Sequence, residues 1–273
     1  MPELPEVERT RRELEPAMQD ARFERVLLRR PDLRTSFPRK FAARLRTQTV
    51  VRVDRRGKYL LIELSSGDTL VMHLGMSGSF NVEAGSSARA EADKHDHVVF
   101  EMSPSATITF NDPRRFGFMD LVTRKAMAGH ATLSKLGPEP LSPDFDAAVL
   151  ARACKGKKTS LKVALLDQRV VAGIGNIYAS EALHRAGLSP RRKASTIATR
   201  GGAPLDSAVR LTAAIKAVLI DAIDCGGSYA ADGGRFRVYE REGNHCLTKG
   251  CRGSIKRITQ IGRSTFFCPV CQK

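Results

Sequence analysis

Residues 134–144 read SKLGPEPLSPD, and this stretch separates two parts of the sequence that differ in their hydrophobic patterns. Its glycine and its three prolines resist both helix and strand, so it predicts a linker. A chain of 273 residues is long enough for two domains of ordinary size. We therefore expect a domain boundary here, with a β-rich region before it and a helical region after it.

The region before the linker predicts a β-domain preceded by one helix. Residues 23–123 contain short alternating or apolar runs, such as TVVRVD and DTLVMHLG, broken by Gly, Pro, Asp and Ser. These runs favour a sandwich or a flattened barrel, in which the aperiodic residues 83–96 form a mobile loop. In residues 3–18, apolar side chains recur at spacings of three and four, which predicts a helix with one buried face.

The region after the linker predicts helices and then a small hairpin. Residues 145–225 carry several helical patterns, and residues 205–224 predict the longest buried helix. The expected fold class is therefore α+β. Its expected divisions are a β-domain at 1–133, a linker at 134–144, a helical domain at 145–234 and a zinc finger at 235–273.

Four of the six cysteines lie within the last 28 residues. Cys246 and Cys251 are separated by four residues, and Cys268 and Cys271 are separated by two. Two such loops bring four thiolates around a tetrahedral zinc ion, and clustering of this kind favours metal over disulfides in a cytosolic chain. The segment is too small for a useful apolar core, so we expect one structural Zn²⁺ to supply its folding energy.

The net charge of the chain is +16, from 45 Lys and Arg against 29 Asp and Glu. Such a charge predicts a polyanionic partner, of which nucleic acid is the leading candidate and an anionic membrane surface the alternative. The sequence has no apolar run of about 18 residues, and its acidic N-terminus lacks the apolar core of a signal peptide. We therefore expect a cytoplasmic protein that does not enter a membrane.

Five strings, in this order, resemble one family, that of formamidopyrimidine-DNA glycosylase. They are MPELPEVE at 1–8, HLGMSG at 73–78, NDPRRFG at 111–117, LLDQRVVAGIGNIYASE at 165–181 and GRSTFFCPVCQK at 262–273. The resemblance implies a helix-capped β-sandwich, a helix-two-turn-helix bundle and a zinc finger, with DNA bound in the cleft between the domains. It implies a monomer that removes oxidised purines, formamidopyrimidines and 8-oxoguanine, from duplex DNA and cleaves the strand at abasic sites by β,δ-elimination.

The resemblance also assigns catalytic roles to residues of this chain. The amine of Pro2, once Met1 is removed, attacks the sugar C1′ and remains as an iminium that acts as an electron sink. Glu3 protonates the deoxyribose ring oxygen, Glu6 supports the site from the same helical face, and Lys58 contacts a phosphate beside the lesion.

Further residues match the DNA-binding positions of the family. Extrusion of the damaged nucleotide leaves a gap in the duplex. Side chains of the types found at Met76, Arg114 and Phe116 suit the filling of that gap. The remaining expected DNA contacts, mostly to phosphates, are His73, Lys162, Asn176, Tyr178, Tyr239 and Arg263.

One departure from the family concerns the choice of base. The segment GGSYAADGG at 226–234 is shorter than the loop that normally folds over an extruded oxidised purine. We therefore expect ring-opened formamidopyrimidines and oxidised pyrimidines to be processed at least as well as 8-oxoguanine. The alternatives are an endonuclease VIII-like enzyme for oxidised pyrimidines, a lesion-binding protein that has lost catalysis, and a zinc-ribbon transcription factor.

Overall fold

A computed structural model describes residues 1–85, 93–226 and 236–273 of the chain. Within these ranges most strands precede the main helices, and a short hairpin follows them. The predicted α+β class is confirmed. Most of the predicted base-capping segment 226–234, and the predicted boundary between residues 234 and 235, lie outside the described residues.

The chain divides into two compact units. The first consists of Met1–Pro2 and Glu6–Ser134, and the second of Glu3–Pro5 and Lys135–Lys273. The division thus falls at the start of the predicted linker, most of which belongs to the second unit. Two backbone hydrogen bonds hold the linker in the second unit. They run from Gly137 N–H to the Gln168 carbonyl (2.8 Å) and from Ala172 N–H to the Pro138 carbonyl (3.0 Å).

The first unit is the predicted β-sandwich. Two four-stranded antiparallel sheets, in the orders β1-β6-β7-β5 and β2-β3-β4-β8, contribute side chains to a single hydrophobic core. Inward-facing residues alternate along strands such as β3, as expected for a sheet with one buried face. The predicted mobile loop 83–96 overlaps the ends of β5 and β6, and residues 86–92 of it lie outside the described residues. The strands are β1 (Phe23–Leu28), β2 (Val50–Arg56), β3 (Tyr59–Leu64), β4 (Thr69–His73), β5 (Ser79–Ala84), β6 (Asp96–Met102), β7 (Ala106–Asn111) and β8 (Phe118–Val122).

The predicted N-terminal helix is α1, Leu4–Met18. Val7, Leu14 and Met18 pack into the core of the sandwich, which confirms the apolar face inferred from their spacing. Leu4, at the start of the helix, belongs instead to the hydrophobic core of the second unit. Two short helices, α2 (Phe41–Leu45) and α3 (Arg124–Met127), complete the first unit.

The second unit has a helical core in which the predicted longest helix is confirmed as α7. Its inward face carries apolar side chains such as Leu211, Ile215 and Leu219. A small antiparallel hairpin follows, and its residues form a separate apolar cluster with Val238 and Ile255. None of the helices in the described ranges has both the length and the apolarity needed to cross a membrane. The elements are α4 (Ala147–Cys154), α5 (Leu161–Leu166), α6 (Asn176–Arg185), α7 (Asp206–Asp224), β9 (Lys256–Gln260) and β10 (Arg263–Phe267), together with a 3₁₀ turn at Ala194–Ile197.

Candidate active site and metal centre

The carboxylate of Glu3 is held at the N-terminus of α6. It accepts hydrogen bonds from the backbone N–H groups of Gly175 (2.9 Å), Ile177 (2.9 Å) and Tyr178 (3.3 Å), and its side chain is buried. The first N–H groups of a helix have no partner within the helix and lie at the positive end of its dipole. They therefore stabilise the anion and fix the orientation of both carboxylate oxygens.

Two glycines allow this close approach of chain segments. A Cβ atom at Gly175 would overlap the Glu3 carboxylate, and one at Gly173 would lie 2.7 Å from the side chain of Leu4. Gly173 also has a φ of +83°, a conformation that residues with side chains rarely adopt. The string GIGN is thus explained by the packing of Glu3 and Leu4 against the entry to α6.

Lys162 is fully buried beside the first residue of α6. Its Nζ donates to Asn176 Oδ1 (2.6 Å), Thr265 Oγ1 (2.7 Å) and the Ser264 carbonyl (3.0 Å). Burial lowers the pKa of this ammonium to about 8; the nearby Glu3 carboxylate acts in the opposite direction and Arg263 in the same one. Because all three protons have acceptors, the ammonium ties α5 and α6 to strand β10.

The predicted DNA contacts Lys162 and Tyr178 are at odds with this geometry. Lys162 has no exposed surface, and the Tyr178 side chain is 1% exposed within the helical core. Both side chains are therefore buried in the second unit. The resemblance predicts DNA contacts at both residues, whereas here three hydrogen bonds hold Lys162 inside and apolar packing holds Tyr178 inside.

Asn176, Tyr239 and Arg263 are more accessible. Asn176 Nδ2 donates to the Ser264 carbonyl (2.9 Å), and the hydroxyl of Tyr239 is hydrogen-bonded to Asn176. Tyr239 packs edge-on against Phe266, at 5.3 Å between ring centroids. Arg263 is exposed at the first position of β10. The structure thus gathers three predicted phosphate-binding residues around one hairpin.

Glu181 supports this group of residues and was not anticipated from the sequence. It is buried on α6 and accepts hydrogen bonds from the backbone N–H groups of Arg237, Val238 and Tyr239, each at 2.9 Å. Burial raises the pKa of this carboxyl, although the three donors act against the rise. Glu181 therefore fixes the backbone that carries Tyr239.

The four predicted zinc ligands converge. The ligand atoms of Cys246, Cys251, Cys268 and Cys271 all lie within 4.8 Å of one another, with Sγ–Sγ distances of 3.7 Å between Cys246 and Cys271 and 3.6 Å between Cys251 and Cys268. Tetrahedral zinc with Zn–S bonds of about 2.3 Å places its sulfurs about 3.8 Å apart. The cluster fits a structural Zn²⁺ held by four thiolates.

The predicted gap-filling residues come from two loops of the first unit. Met76 and Phe116 are large apolar side chains that are 41% and 42% exposed, and the Arg114 guanidinium lies 4.8 Å from the centroid of the Phe116 ring. A Cβ atom at Gly75 would overlap the backbone of Phe116, so the loop that carries Met76 packs directly against the loop that carries Phe116. The structure therefore brings this predicted trio together on neighbouring loops.

A buried hydrogen bond joins the same two loops. Asp112 is fully buried, and its two carboxylate oxygens accept from the Ser77 hydroxyl (2.6 Å) and from Gly117 N–H (2.8 Å). Ser77 Oγ in turn accepts from the backbone N–H of Arg114 (3.2 Å). Ser77 lies in the string HLGMSG and Asp112 in the string NDPRRFG, yet the sequence analysis predicted no role for either residue.

Lys58 and His73 lie near each other in the first unit. Lys58 is buried in the turn between β2 and β3, and His73, at the end of β4, accepts a hydrogen bond at Nδ1 from Gly75 N–H (3.0 Å). Burial lowers the pKa of His73 to about 4, and the positive charges of Lys58 and Arg34 act in the same direction. His73 is therefore a neutral imidazole at physiological pH.

Pro2 and Glu6 flank the start of α1. Pro2 is half-buried and precedes the helix, and Glu6 is half-buried in its first turn. Pro2 is bonded directly to Glu3, whose carboxylate α6 holds. The amine of Pro2 is acylated by Met1 in this chain, so any chemistry at that nitrogen requires removal of Met1.

Three family models match consecutive parts of the chain. The formamidopyrimidine-DNA glycosylase N-terminal domain matches residues 1–119, its H2TH domain matches 136–232, and a zinc finger found in FPG and IleRS matches 246–273. The fold and the site therefore define a DNA-repair glycosylase with a C-terminal zinc finger.

Individual relatives agree with these models over their full lengths. The formamidopyrimidine-DNA glycosylase of Rhodopseudomonas palustris strain HaA2 is 57% identical over 292 residues, with all of both chains covered. The Lactococcus lactis formamidopyrimidine-DNA glycosylase bound to abasic-site DNA has a TM-score of 0.87 at 31% identity, with 99% of each chain covered. Its complex with DNA containing an oxidised pyrimidine also has a TM-score of 0.87, at 32% identity, with both chains covered completely. The chain belongs to the formamidopyrimidine-DNA glycosylase family.

Proposed function

We propose that this protein excises oxidised bases from duplex DNA and then cleaves the strand, with the amine of Pro2 as nucleophile after Met1 is removed. The observation that carries the proposal is the fixed carboxylate of Glu3. Three N–H groups hold it, Gly175 leaves space for it, and it belongs to the residue bonded to the amine-bearing proline. A helix cap alone would not require so constrained a carboxylate.

The chemistry follows from a secondary amine next to a carboxyl group. The Pro2 nitrogen forms a bond to the sugar C1′ while the bond from C1′ to the base breaks, and the base leaves as an anion that takes a proton from water. The Glu3 carboxylate takes the proton that the Pro2 nitrogen loses after attack and passes it to the ring oxygen, which opens the sugar and leaves an iminium. The iminium draws electrons from the neighbouring C–H bonds: loss of the C2′ proton expels the 3′-phosphate, and loss of the C4′ proton then expels the 5′-phosphate. The Glu3 carboxylate and water accept these protons, and water finally hydrolyses the iminium to release the Pro2 amine and the sugar fragment as an aldehyde.

Access to the base requires extrusion of the nucleotide, and two loops of the first unit suit the gap that remains. Met76 and Phe116 expose apolar surface at the loop tips, and Arg114 lies over the Phe116 ring. An apolar wedge between base steps and a guanidinium directed at the orphaned base stabilise such a duplex.

The remaining roles concern the DNA backbone. Lys58, His73, Asn176, Tyr239 and Arg263 contact phosphates in this proposal, whereas Lys162 and Tyr178 position the groups that do. The net charge of +16 supports a duplex DNA partner, because phosphate contacts dominate such affinity. We propose that the protein acts as a monomer and, since its substrate is chromosomal DNA, in the cytoplasm.

Trapping with borohydride tests the nucleophile. Reduction of the iminium gives a stable covalent adduct with abasic-site DNA, and after trypsin digestion the adduct is expected on the peptide that begins at Pro2. The matched control is the same sequence purified with Met1 retained, in which the adduct is expected to be lost; Pro2→Gly is expected to diminish it. An adduct on the Lys58 peptide, or one undiminished by Met1, contradicts the assignment. Failure to nick an abasic duplex at all supports the alternative of a non-catalytic lesion-binding protein.

A second proposal concerns the choice of lesion. We propose that formamidopyrimidines and oxidised pyrimidines are processed at least as well as 8-oxoguanine, because the segment at 226–234 is short. The test is competition between duplexes that carry each lesion, with and without a lengthened segment. Preference for 8-oxoguanine over both competitors contradicts the proposal.

A further inference from the structure

Two polar side chains outside the cysteine cluster lie against its sulfur atoms. His184, in the last turn of α6, has its Nε2 3.4 Å from Cys246 Sγ and 3.3 Å from Thr248 Oγ1. Thr248 Oγ1 lies 3.8 Å from Cys271 Sγ. We infer that His184 and Thr248 are hydrogen-bond donors to the zinc thiolates of Cys246 and Cys271, and that they slow the loss of the metal.

The direction of these hydrogen bonds follows from what each atom offers. Thiolates bound to a metal ion accept hydrogen bonds and have no proton to donate. The imidazole of His184 is 5% exposed, and its Nδ1 has no hydrogen-bond partner in the described part of the chain. A proton on Nε2 has two acceptors within reach and leaves only an acceptor lone pair unpaired at Nδ1, whereas a proton on Nδ1 would be a buried donor without a partner. The His184 N–H is directed at Cys246 and Thr248, and the Thr248 hydroxyl at Cys271.

Backbone groups complete the set of donors. The N–H of Thr248 lies 3.5 Å from Cys246 Sγ, and the N–H of Gly253 lies 3.4 Å from Cys251 Sγ. A divalent ion with four thiolates has a net charge of −2, and each donor offsets part of the charge on sulfur. Groups that hydrogen-bond to metal ligands fix their orientation, and their loss usually weakens metal binding by about 10- to 100-fold.

The position of the two side chains also bears on solvent access. His184, Thr248 and Cys271 line a groove of about 900 Å³ in the second unit, together with the guanidinium-bearing Arg185 and Arg210. A chelator or a thiol reagent in the groove meets this side of the cluster. The four-residue spacing between Cys246 and Cys251 supplies the position that Thr248 occupies.

Paired substitutions separate hydrogen bonding from packing. His184→Met keeps a similar volume without a donor, whereas His184→Gln keeps an N–H donor. We expect zinc transfer from the purified full-length protein to a metallochromic chelator to be at least about tenfold faster in His184→Met, and much closer to wild type in His184→Gln. The thiolate-to-cobalt absorption band of the cobalt-substituted protein is expected to shift in His184→Met only.

Thr248 gives an independent pair of variants should the histidine variants fail to fold. Thr248→Val removes the hydroxyl at constant shape and is expected to release zinc faster, whereas Thr248→Ser is expected to resemble wild type. Equal release rates for the Met and Gln variants, whether unchanged or raised together, overturn the inference, because packing alone does not distinguish them. Equal rates for the Val and Ser variants overturn it at the second position.

Discussion

The hydroxyl of Ser77 donates a 2.6 Å hydrogen bond to the fully buried carboxylate of Asp112, and this contact joins the loop of Met76 to the loop of Arg114 and Phe116. The second oxygen of Asp112 accepts from Gly117 N–H. The side chain of Asp112 therefore joins the two loops through one hydrogen bond at each of its oxygens.

Replacement of Asp112 by Asn is expected to disturb both loops. An asparagine can accept from Gly117 N–H only with its NH₂ group towards Ser77, and the Ser77 hydroxyl must then turn its proton away, so the 2.6 Å hydrogen bond from Ser77 is lost. Loss of a buried hydrogen bond of this kind costs about 1–3 kcal/mol, which a fall in the free energy of unfolding would report. Excision of a base from duplex DNA should fall more than cleavage of a single-stranded abasic site, which requires no gap filling. Asp120→Asn, at an accessible carboxylate on β8, is the control. Equal free energies of unfolding and equal excision rates for the two variants contradict the prediction.

Gly175→Ala is expected to displace the Glu3 carboxylate, because the added Cβ atom would occupy its position. Misplacement of a catalytic group by about 1 Å can lower rates by about 100-fold. We expect the rate of borohydride-trappable adduct formation to fall by about that factor while DNA affinity changes little. Gly201→Ala, whose Cβ atom would come no closer than 3.8 Å to any neighbour, is the matched control in the same unit. A variant as active as this control would contradict the close approach.

Lys162→Met is expected to weaken DNA binding although Lys162 is buried. The change removes three donors and leaves Asn176 Oδ1 and the Ser264 carbonyl without their ammonium partner. Loss of one such hydrogen bond corresponds to about tenfold in affinity, measured by titration of duplex DNA. Because the pKa of Lys162 is about 8 and a neutral amine has only two N–H groups, wild-type affinity should fall as the pH rises above 8. The Lys162→Met variant should not show this loss of affinity above pH 8. An effect no larger than that of Lys158→Met, at an exposed lysine, would contradict the positioning role.

Some of this architecture follows directly from the sequence. The zinc ligands were predicted from spacing alone, because two short loops are enough to define a tetrahedral site. The apolar face of α1 and the buried length of α7 follow from periodicity. By contrast, the hydrogen bond between Ser77 and Asp112 joins residues that are 35 positions apart in the sequence, and the one between Lys162 and Thr265 joins residues that are 103 positions apart. Hydrophobic periodicity reports which face of an element is buried, and it contains no information about which polar side chains meet after folding.

The same limit explains why the burial of Lys162 and Glu181 could not be predicted from the sequence. Lysine and glutamate are rarely buried unless they are paired, so a sequence places them at the surface. Here each meets three partners supplied by distant segments, and burial becomes tolerable only because every donor or acceptor is used. The resemblance to a family predicts a role for Lys162 but contains no information on the burial of its side chain.

His73 is expected to make stability depend on pH in the acidic range. Its pKa is about 4 in the folded protein and 6.5 ordinarily, so between these values the unfolded chain binds a proton that the folded chain does not. The free energy of unfolding should therefore be unaffected by His73 above pH 6.5 and fall as the pH drops from 6.5 to 4, by about 3 kcal/mol in total. His73→Gln should lack this component when denaturation is measured across the range. Parallel pH curves for the two proteins contradict the low pKa of His73.

Removal of zinc is expected to unfold the finger and leave the sandwich folded. The binding energy of a structural zinc, about 10–16 kcal/mol in isolated fingers, exceeds what the small cluster of Val238, Ile255 and Phe266 can supply. Hydrogen exchange after chelation should therefore rise in β9 and β10 and stay unchanged in β1 to β8, while DNA affinity falls. Cys154→Ser is the control for metal content, because burial raises the pKa of the Cys154 thiol to about 11 and it lies outside the cluster. It should retain one zinc per chain, whereas Cys268→Ser should not. Protection of β9 and β10 that survives chelation would show that the hairpin folds without the metal.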